Sequence, residues 1–229
     1  MAVGPLRFYF DYISSNAYLA WTQLPKLAEQ YGVAIEPVPV LFAGLLEAHG
    51  QLGPAEIPAK SLWMAKNNLR KAALLGVALH RPAFHPFNPL LALRVSSLAF
   101  DGAARRALIG ALFEAVWVRG LHVSEPAVVQ HIGDEIGLSG ATLIADAQRA
   151  ETKALLRRQT DDAIERGVFG VPAMQVGDEI FWGYDDFPYL ELALAGRDPL
   201  GAVEWDLGAG PPRPSAIRRR VRQDDPGGG

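Results

Sequence analysis

Phe8-Tyr9-Phe10-Asp11-Tyr12-Ile13-Ser14-Ser15-Asn16-Ala17-Tyr18-Leu19-Ala20-Trp21 carries an apolar strand directly into a helix whose first turn begins beside the Ser14 hydroxyl. A helix start presents unpaired backbone N–H groups and the positive end of the macrodipole, so an anion held there is stabilised without a charged side chain. Ser14 is therefore a candidate for holding an anionic nucleophile. On local sequence alone, Ser14, Ser15 and Asn16 serve equally well as N-caps, and a purely structural role stays open.

Working outward, Phe8 to Asp11 reads as a short strand. Asn16 to Tyr31 reads as a helix, with Tyr18, Leu19, Leu24, Leu27 and Ala28 at helical spacing and a stop at Gly32. Val33 to Val40 alternates Val33, Ile35 and Val38 with small or polar residues, and Pro37 and Pro39 mark its later part as an edge or exit. Strand, helix and strand make a βαβ unit, which is right-handed with parallel strands.

From Ile57 to Gly167 the pattern changes to helices with end signals. Leu62, Ala65, Leu69 and Ala72 close at Gly76; Asn88-Pro89 opens a helix as N-cap and N1; Leu108, Leu112, Phe113 and Val116 close at Gly120. Ser124 opens a helix ending at Gly137, and one final long pattern runs to Arg166. This reads as an insertion of four to six helices.

Val168 to Tyr184 then reads as two strands joined by a tight turn at Gly177-Asp178, with Asp185 or Asp186 capping a last helix from Phe187 to Ala195. The expectation is an α/β chain with a thioredoxin-like fold (βαβ … ββα) interrupted by an all-helical insertion at about 57–167. Residues 1–207 are expected to form a single domain, and 208–229 a flexible tail rich in Gly and Pro. In thioredoxin-like folds the first reactive cysteine sits where this chain has Ser14.

Composition sets limits on function. The 229 residues are 49% hydrophobic, carry a formal net charge of −3 and include no cysteine. A disulfide framework, a thiolate metal site and dithiol exchange by the polypeptide itself are excluded. The N-terminus lacks the basic and apolar regions of a secretory signal, and no stretch reaches the roughly 20 apolar residues of a membrane span, so a cytoplasmic protein without a membrane partner is expected. Arg218-Arg219-Arg220-Val221-Arg222 is locally basic, but its Gly-, Pro- and Asp-rich surroundings point to a tail rather than a nucleic-acid arm. The five histidines show no ligand spacing, so no metal site is expected; a Gly-rich phosphate loop and a Gly-x-Ser-x-Gly elbow are also lacking.

Val171-Pro172 stands at the entrance to the hairpin. A cis bond there is accessible at about 0.5–1 kcal/mol and would turn the Val171 N–H and C=O outward to pair with an extended peptide. A trans proline at a strand start is the alternative.

Several motifs occur in one order: Phe8-Tyr9-Phe10-Asp11 with Ser14 and Tyr18-Leu19-Ala20, Phe113 to Gly120 as FEAVWVRG, Phe169-Gly170-Val171-Pro172, and Gly177-Asp178-Glu179 leading to Phe181-Trp182-Gly183-Tyr184-Asp185. Together they resemble the 2-hydroxychromene-2-carboxylate isomerase family, which is related to kappa-class glutathione transferases and more distantly to DsbA-type oxidoreductases. The resemblance spans about residues 6–196. It implies that glutathione is the cofactor and binds between the Ser14 helix start and the Val171-Pro172 turn. Ser14 would be the catalytic residue, its hydroxyl bonding the sulfur and favouring the thiolate. Trp182, Gly183, Tyr184 and Asp185 would lie along the glutathione backbone, with Asp185 suited to an α-ammonium group. Core packing of Phe181 or Trp182 and helix capping by Asp185 are the structural alternatives.

The implied substrate is a small aromatic or conjugated carboxylate, for which Lys60 and Arg70 on the 57–75 helix and Asn88 at the next helix start are candidate holders, though Lys and Arg on helices are usually solvated. Relatives are commonly dimers, so the resemblance also allows a homodimer. Three departures stand out. Ser15 replaces a frequent proline; Asp186 replaces a frequent arginine, putting a carboxylate where a cation would meet a glutathione carboxylate; and the loop Leu45-Leu46-Glu47-Ala48-His49 is apolar where a basic residue would help hold the acid. A kappa-type conjugating transferase and a non-catalytic peptide-binding module remain the alternatives.

Overall fold

β1 (Leu6–Phe10) occupies an interior position in a four-stranded sheet of order β2-β1-β3-β4. In the computed structural model, which describes residues 4–202, it runs parallel to β2 (Ile35–Pro39), with Leu6 opposite Ile35. It runs antiparallel to β3 (Ala173–Val176), with Phe8 opposite Met174, and β3 pairs antiparallel with β4 (Glu179–Trp182). β2 lies at the sheet edge, where Pro37 and Pro39 remove no needed ladder donor. The expected tail at 208–229 lies outside the described residues.

α1 (Ser15–Tyr31) makes the crossover between β1 and β2. Between β2 and β3 come α2 (Phe42–Ala48), α3 (Pro58–Leu75), α4 (Leu90–Ser97), α5 (Gly102–Trp117), α6 (Pro126–Glu135), α7 (Gly140–Ala147) and α8 (Ala150–Glu165). α9 (Phe187–Leu194) follows β4. Six of these helices fill the expected insertion. Among the described residues no helix is long and apolar enough to cross a membrane.

The structure corrects four details of the sequence reading. The apolar segment around Leu45 is a helix, α2, whose first N–H, that of Phe42, is bonded by the distant Asp11 carboxylate at 2.9 Å. The long pattern ending at Arg166 is two helices: Arg149 is extended (φ −63°, ψ 146°), and the Asp146 carbonyl accepts from the Arg149 N–H at 3.2 Å and from the Thr152 hydroxyl at 2.7 Å. α4 starts at Leu90 rather than Pro89, with Asn88 Oδ1 accepting from the Leu90 N–H at 3.0 Å. α6 starts at Pro126 with Glu125 at the N-cap, because the Ser124 hydroxyl donates instead to the Asn88 carbonyl.

Strand alternation divides the core. Phe8 and Phe10 face one side, where Phe113 of α5 is the hub, its ring centroid 5.5 Å from Phe10, 4.7 Å from Tyr12 and 6.3 Å from Trp21. Phe113 is fully buried, and truncating such a ring costs about 3–5 kcal/mol. Tyr9 faces the other side, with Leu45 of α2, Ala163 of α8 and Val171. The β1–α1 junction is thus pressed between an aromatic cluster from the insertion and a smaller aliphatic one.

Candidate active site

Ser14 is the N-cap of α1, in extended conformation (φ −96°, ψ 109°). Its Oγ accepts from the Ala17 N–H at 3.1 Å, so the hydroxyl fixes the helix start just as its type predicts. The Ser14 hydroxyl donates to the Val171 carbonyl at 3.4 Å, a long contact that holds the proton only weakly. The Val171-Pro172 bond is cis. Residues 157 positions apart therefore meet at the positive pole of α1, and the Val171 N–H finds no hydrogen-bond partner among the described residues.

The loop before α1 and the first residue of the helix are pinned from outside. The Trp117 indole donates to Tyr12 O at 2.9 Å, and His85 Nε2 faces Ile13 O at 2.9 Å. The Asn68 amide donates to Ser15 Oγ at 2.7 Å. From within, the Ser14 N–H donates to Asp11 O at 3.1 Å and the Ile13 N–H to Asp11 Oδ1 at 3.0 Å. Asp11 is fully buried, which pushes its carboxyl up to about 7; the N–H groups of Phe42 and Ile13 oppose that rise. Burial likewise holds the His85 imidazole below its usual value, so the ring is neutral at pH 7.

The turn after β4 is closed on itself. The Trp182 N–H donates to Asp186 Oδ2 at 2.8 Å, Gly183 N–H to Pro172 O at 2.9 Å, and Tyr184 N–H to Asn16 Oδ1 at 3.2 Å. Neither acidic side chain bonds to the first N–H groups of α9, contrary to the capping role expected: Asp186 is drawn back to Trp182 and Asp185 out to Lys71, whose ammonium lies 2.7 Å away. Trp182, 49% exposed, leans on Phe169 (centroids 5.4 Å apart), while its neighbour Phe181 packs in the core. A Cβ on Gly170 would lie 2.6 Å from Trp182 Nε1, so only glycine admits the indole there.

Two hollows flank this centre. One, of about 480 Å³, is an open groove of mixed character, with Lys26, Lys71, Asp185 and Glu191 beside Leu27 and Phe187. The other, of about 110 Å³, lies among α3, the segment 79–85 and Trp117, with Ser15 in its wall. The structure thus brings Ser14, Val171, Pro172, Gly183 and Tyr184 around the start of α1, with Trp182 and Asp185 on the adjoining turn. Lys60 and Asn88 are exposed and line neither hollow. Asn68, Arg81 and His85, which do line the smaller one, carry no local pattern that marks them, since two separate segments, α3 and 79–85, bring them together.

The sequence matches the DSBA-like thioredoxin domain over residues 5–195. A 2-hydroxychromene-2-carboxylate isomerase of Sphingobium xenophagum is 31% identical over 191 residues, 82% of this chain and 97% of that protein. Glutathione S-transferase kappa 2 of Caenorhabditis elegans is 25% identical over 206 residues, 83% of this chain and 91% of that protein. A solved 2-hydroxychromene-2-carboxylate isomerase structure superimposes with a TM-score of 0.78 at 29% identity, covering 89% of this chain and 99% of that one. With its serine at the α1 start, its proline turn opposite and these relatives along most of its length, the chain belongs to the DSBA-like thioredoxin-domain family and, within it, to the 2-hydroxychromene-2-carboxylate isomerase family.

Proposed function

We propose that the protein is a glutathione-dependent isomerase of a 2-hydroxychromene-2-carboxylate-like aromatic acid. The observation that carries this reading is the weakly held Ser14 hydroxyl at the start of α1, 3.4 Å from the Val171 carbonyl. A tripeptide thiol fits the residues present: the unpartnered Val171 N–H can pair with an extended backbone, and the open groove beside Asp185 has room for a charged end. When bound, glutathione supplies a thiolate whose reversible addition to a conjugated C=C leaves a single bond free to rotate before the thiol departs unchanged.

The chain's own groups then have defined tasks. Ser14 donates its proton to the sulfur instead of Val171 O, and the α1 dipole favours the anion over the thiol. Among the described residues no basic side chain bonds the Ser14 hydroxyl, so it orients a nucleophile rather than being one. Because the N–H groups of Trp182, Gly183 and Tyr184 are already paired, that turn contributes side chains and carbonyls. Asp185, exposed beyond its bond to Lys71, meets an ammonium, while Lys71 and Lys26 supply the cation that Asp186 does not.

The kappa transferase relatives favour one second reading at the same site, a conjugating transferase. Calorimetric titration with reduced glutathione tests both: the wild type should bind, and Ser14→Ala should bind more weakly. Absence of binding to the wild type would remove both readings, and analysis of glutathione after turnover separates them, since an isomerase returns it and a transferase consumes it.

A further inference from the structure

The turn after β4 reaches both walls of the gap between Ser14 and Val171. The Gly183 N–H donates to Pro172 O at 2.9 Å on the proline side, and the next N–H, that of Tyr184, donates to Asn16 Oδ1 at 3.2 Å on the α1 side. Among the described residues this is the only hydrogen bond between α1 and the turn. Pairing of β1 with β3, Tyr9 opposite Ala173, fixes where the two walls leave the sheet. Beyond it, Ser14 contributes just the long 3.4 Å contact to Val171 O, too weak to hold a register.

Three properties of Asn16 suit it to that task. It stands at the second position of α1, two residues past Ser14, so whatever fixes its side chain fixes the helix end beside the Ser14 hydroxyl. A backbone N–H only donates, so the atom facing Tyr184 is the amide oxygen, and Nδ2 is the atom that a Cβ on Gly183 would meet, at 3.7 Å. Gly183 adopts φ 77° and ψ 170°, a conformation open in practice to glycine alone, which brings the turn's backbone up to the amide. The amide is also neutral. An acid in the first turn would stabilise α1, yet that turn holds none, so no charge within it offsets the positive pole.

We propose that Asn16 is a positioning residue for the thiol: its uncharged oxygen fixes the register of the Trp182–Asp185 turn against the start of α1, so that a tripeptide lying along the turn delivers its sulfur to the Ser14 hydroxyl. The inference deepens the glutathione reading and rests on it. A carboxylate at the same place would accept the Tyr184 N–H equally well and would suit the helix start better, but it would stand beside the thiolate as a like charge. Holding the turn and favouring the anion together call for an amide, and charge separates the two duties by experiment.

The test compares the full chain with its Asn16→Asp and Asn16→Leu variants in three measurements: urea unfolding, calorimetric titration with reduced glutathione, and ultraviolet absorbance of the bound thiolate against pH. Asn16→Leu, which loses the acceptor, should bind glutathione about tenfold more weakly, the factor that one net hydrogen bond supplies. Asn16→Asp should unfold at the same or a higher urea concentration and yet ionise the bound thiol about one pH unit higher, a roughly tenfold fall in the thiolate-to-thiol ratio. A merely structural role predicts a different pattern for the aspartate, with the bond to Tyr184 kept and the thiol titrating as in the wild type. Wild-type affinity in Asn16→Leu, or an unshifted thiol titration in Asn16→Asp, would overturn the proposal. Because the aspartate variant keeps the acceptor, it decides the matter even where Asn16→Leu does not fold. A wild type that binds glutathione while both variants match it removes this inference alone; a wild type that binds none removes the glutathione reading and this inference with it.

Discussion

Asn68 on α3 and Ser15 on α1 are joined by a 2.7 Å hydrogen bond across 53 positions of sequence, the amide donating to the hydroxyl one residue past Ser14. The helical insertion thereby holds the start of the helix on which the proposed chemistry depends. Asn68→Ala should lower unfolding free energy by about 1–3 kcal/mol, since it removes a buried polar contact and opens a gap. Denaturant unfolding measures this, and an unchanged midpoint would show that the bond contributes nothing.

Ser14→Ala should separate folding from chemistry. Loss of the N-cap bond to Ala17 costs about 1 kcal/mol, so the variant stays folded. Without the hydroxyl donor the bound thiol should ionise at higher pH, so turnover should fall at neutral pH and recover partly as pH rises. A rate profile against pH checks it; a loss that is uniform across pH would argue against stabilisation of an anion by this residue.

Asp11 ties pH to stability. Its native-state pKa, about 7, lies above the unfolded value of 3.8, so the native state holds this proton more tightly than the unfolded chain does. The stability it contributes is complete below the unfolded value and is lost as pH rises through about 7. Asp11→Asn removes that titration but sets an amide against one of the two N–H donors of Ile13 and Phe42, costing about 1–3 kcal/mol. The variant should be the less stable protein near pH 5, with a flatter dependence between about pH 5 and 8. Urea melts across that range decide it, and parallel slopes for the two proteins would contradict the assignment.

Gly170→Ala tests the seat of Trp182. The new methyl would meet Nε1 at 2.6 Å, so the half-exposed indole must swing away from Phe169. A stability loss of about 1–3 kcal/mol is expected, with a shift in tryptophan emission and weaker glutathione binding if the turn holds that ligand.

The sheet and most helix ends are legible in the sequence because their signals are local. Gly32, Gly76 and Gly137, read as stops, all adopt positive φ, and the turn at Gly177 joins β3 and β4 where expected. α2 is not legible as a helix, because the group that bonds its first N–H, Asp11, lies 31 residues away. The break between α7 and α8 is not legible either, because Arg149 departs from helical geometry with no Gly or Pro to announce it. At the site, Ser14 facing Val171-Pro172 follows from the motifs. The wall formed by Asn68, Arg81 and His85 does not, since helix packing rather than spacing assembles it.

Asn68 holds the first residue of α1 and His85 the loop before it, each with one atom, and both border the smaller cavity. Substitution of either residue therefore also disturbs the geometry of the serine. Chimaeras that exchange the insertion between relatives must therefore bring a matching pair of anchors for the start of α1 along with it.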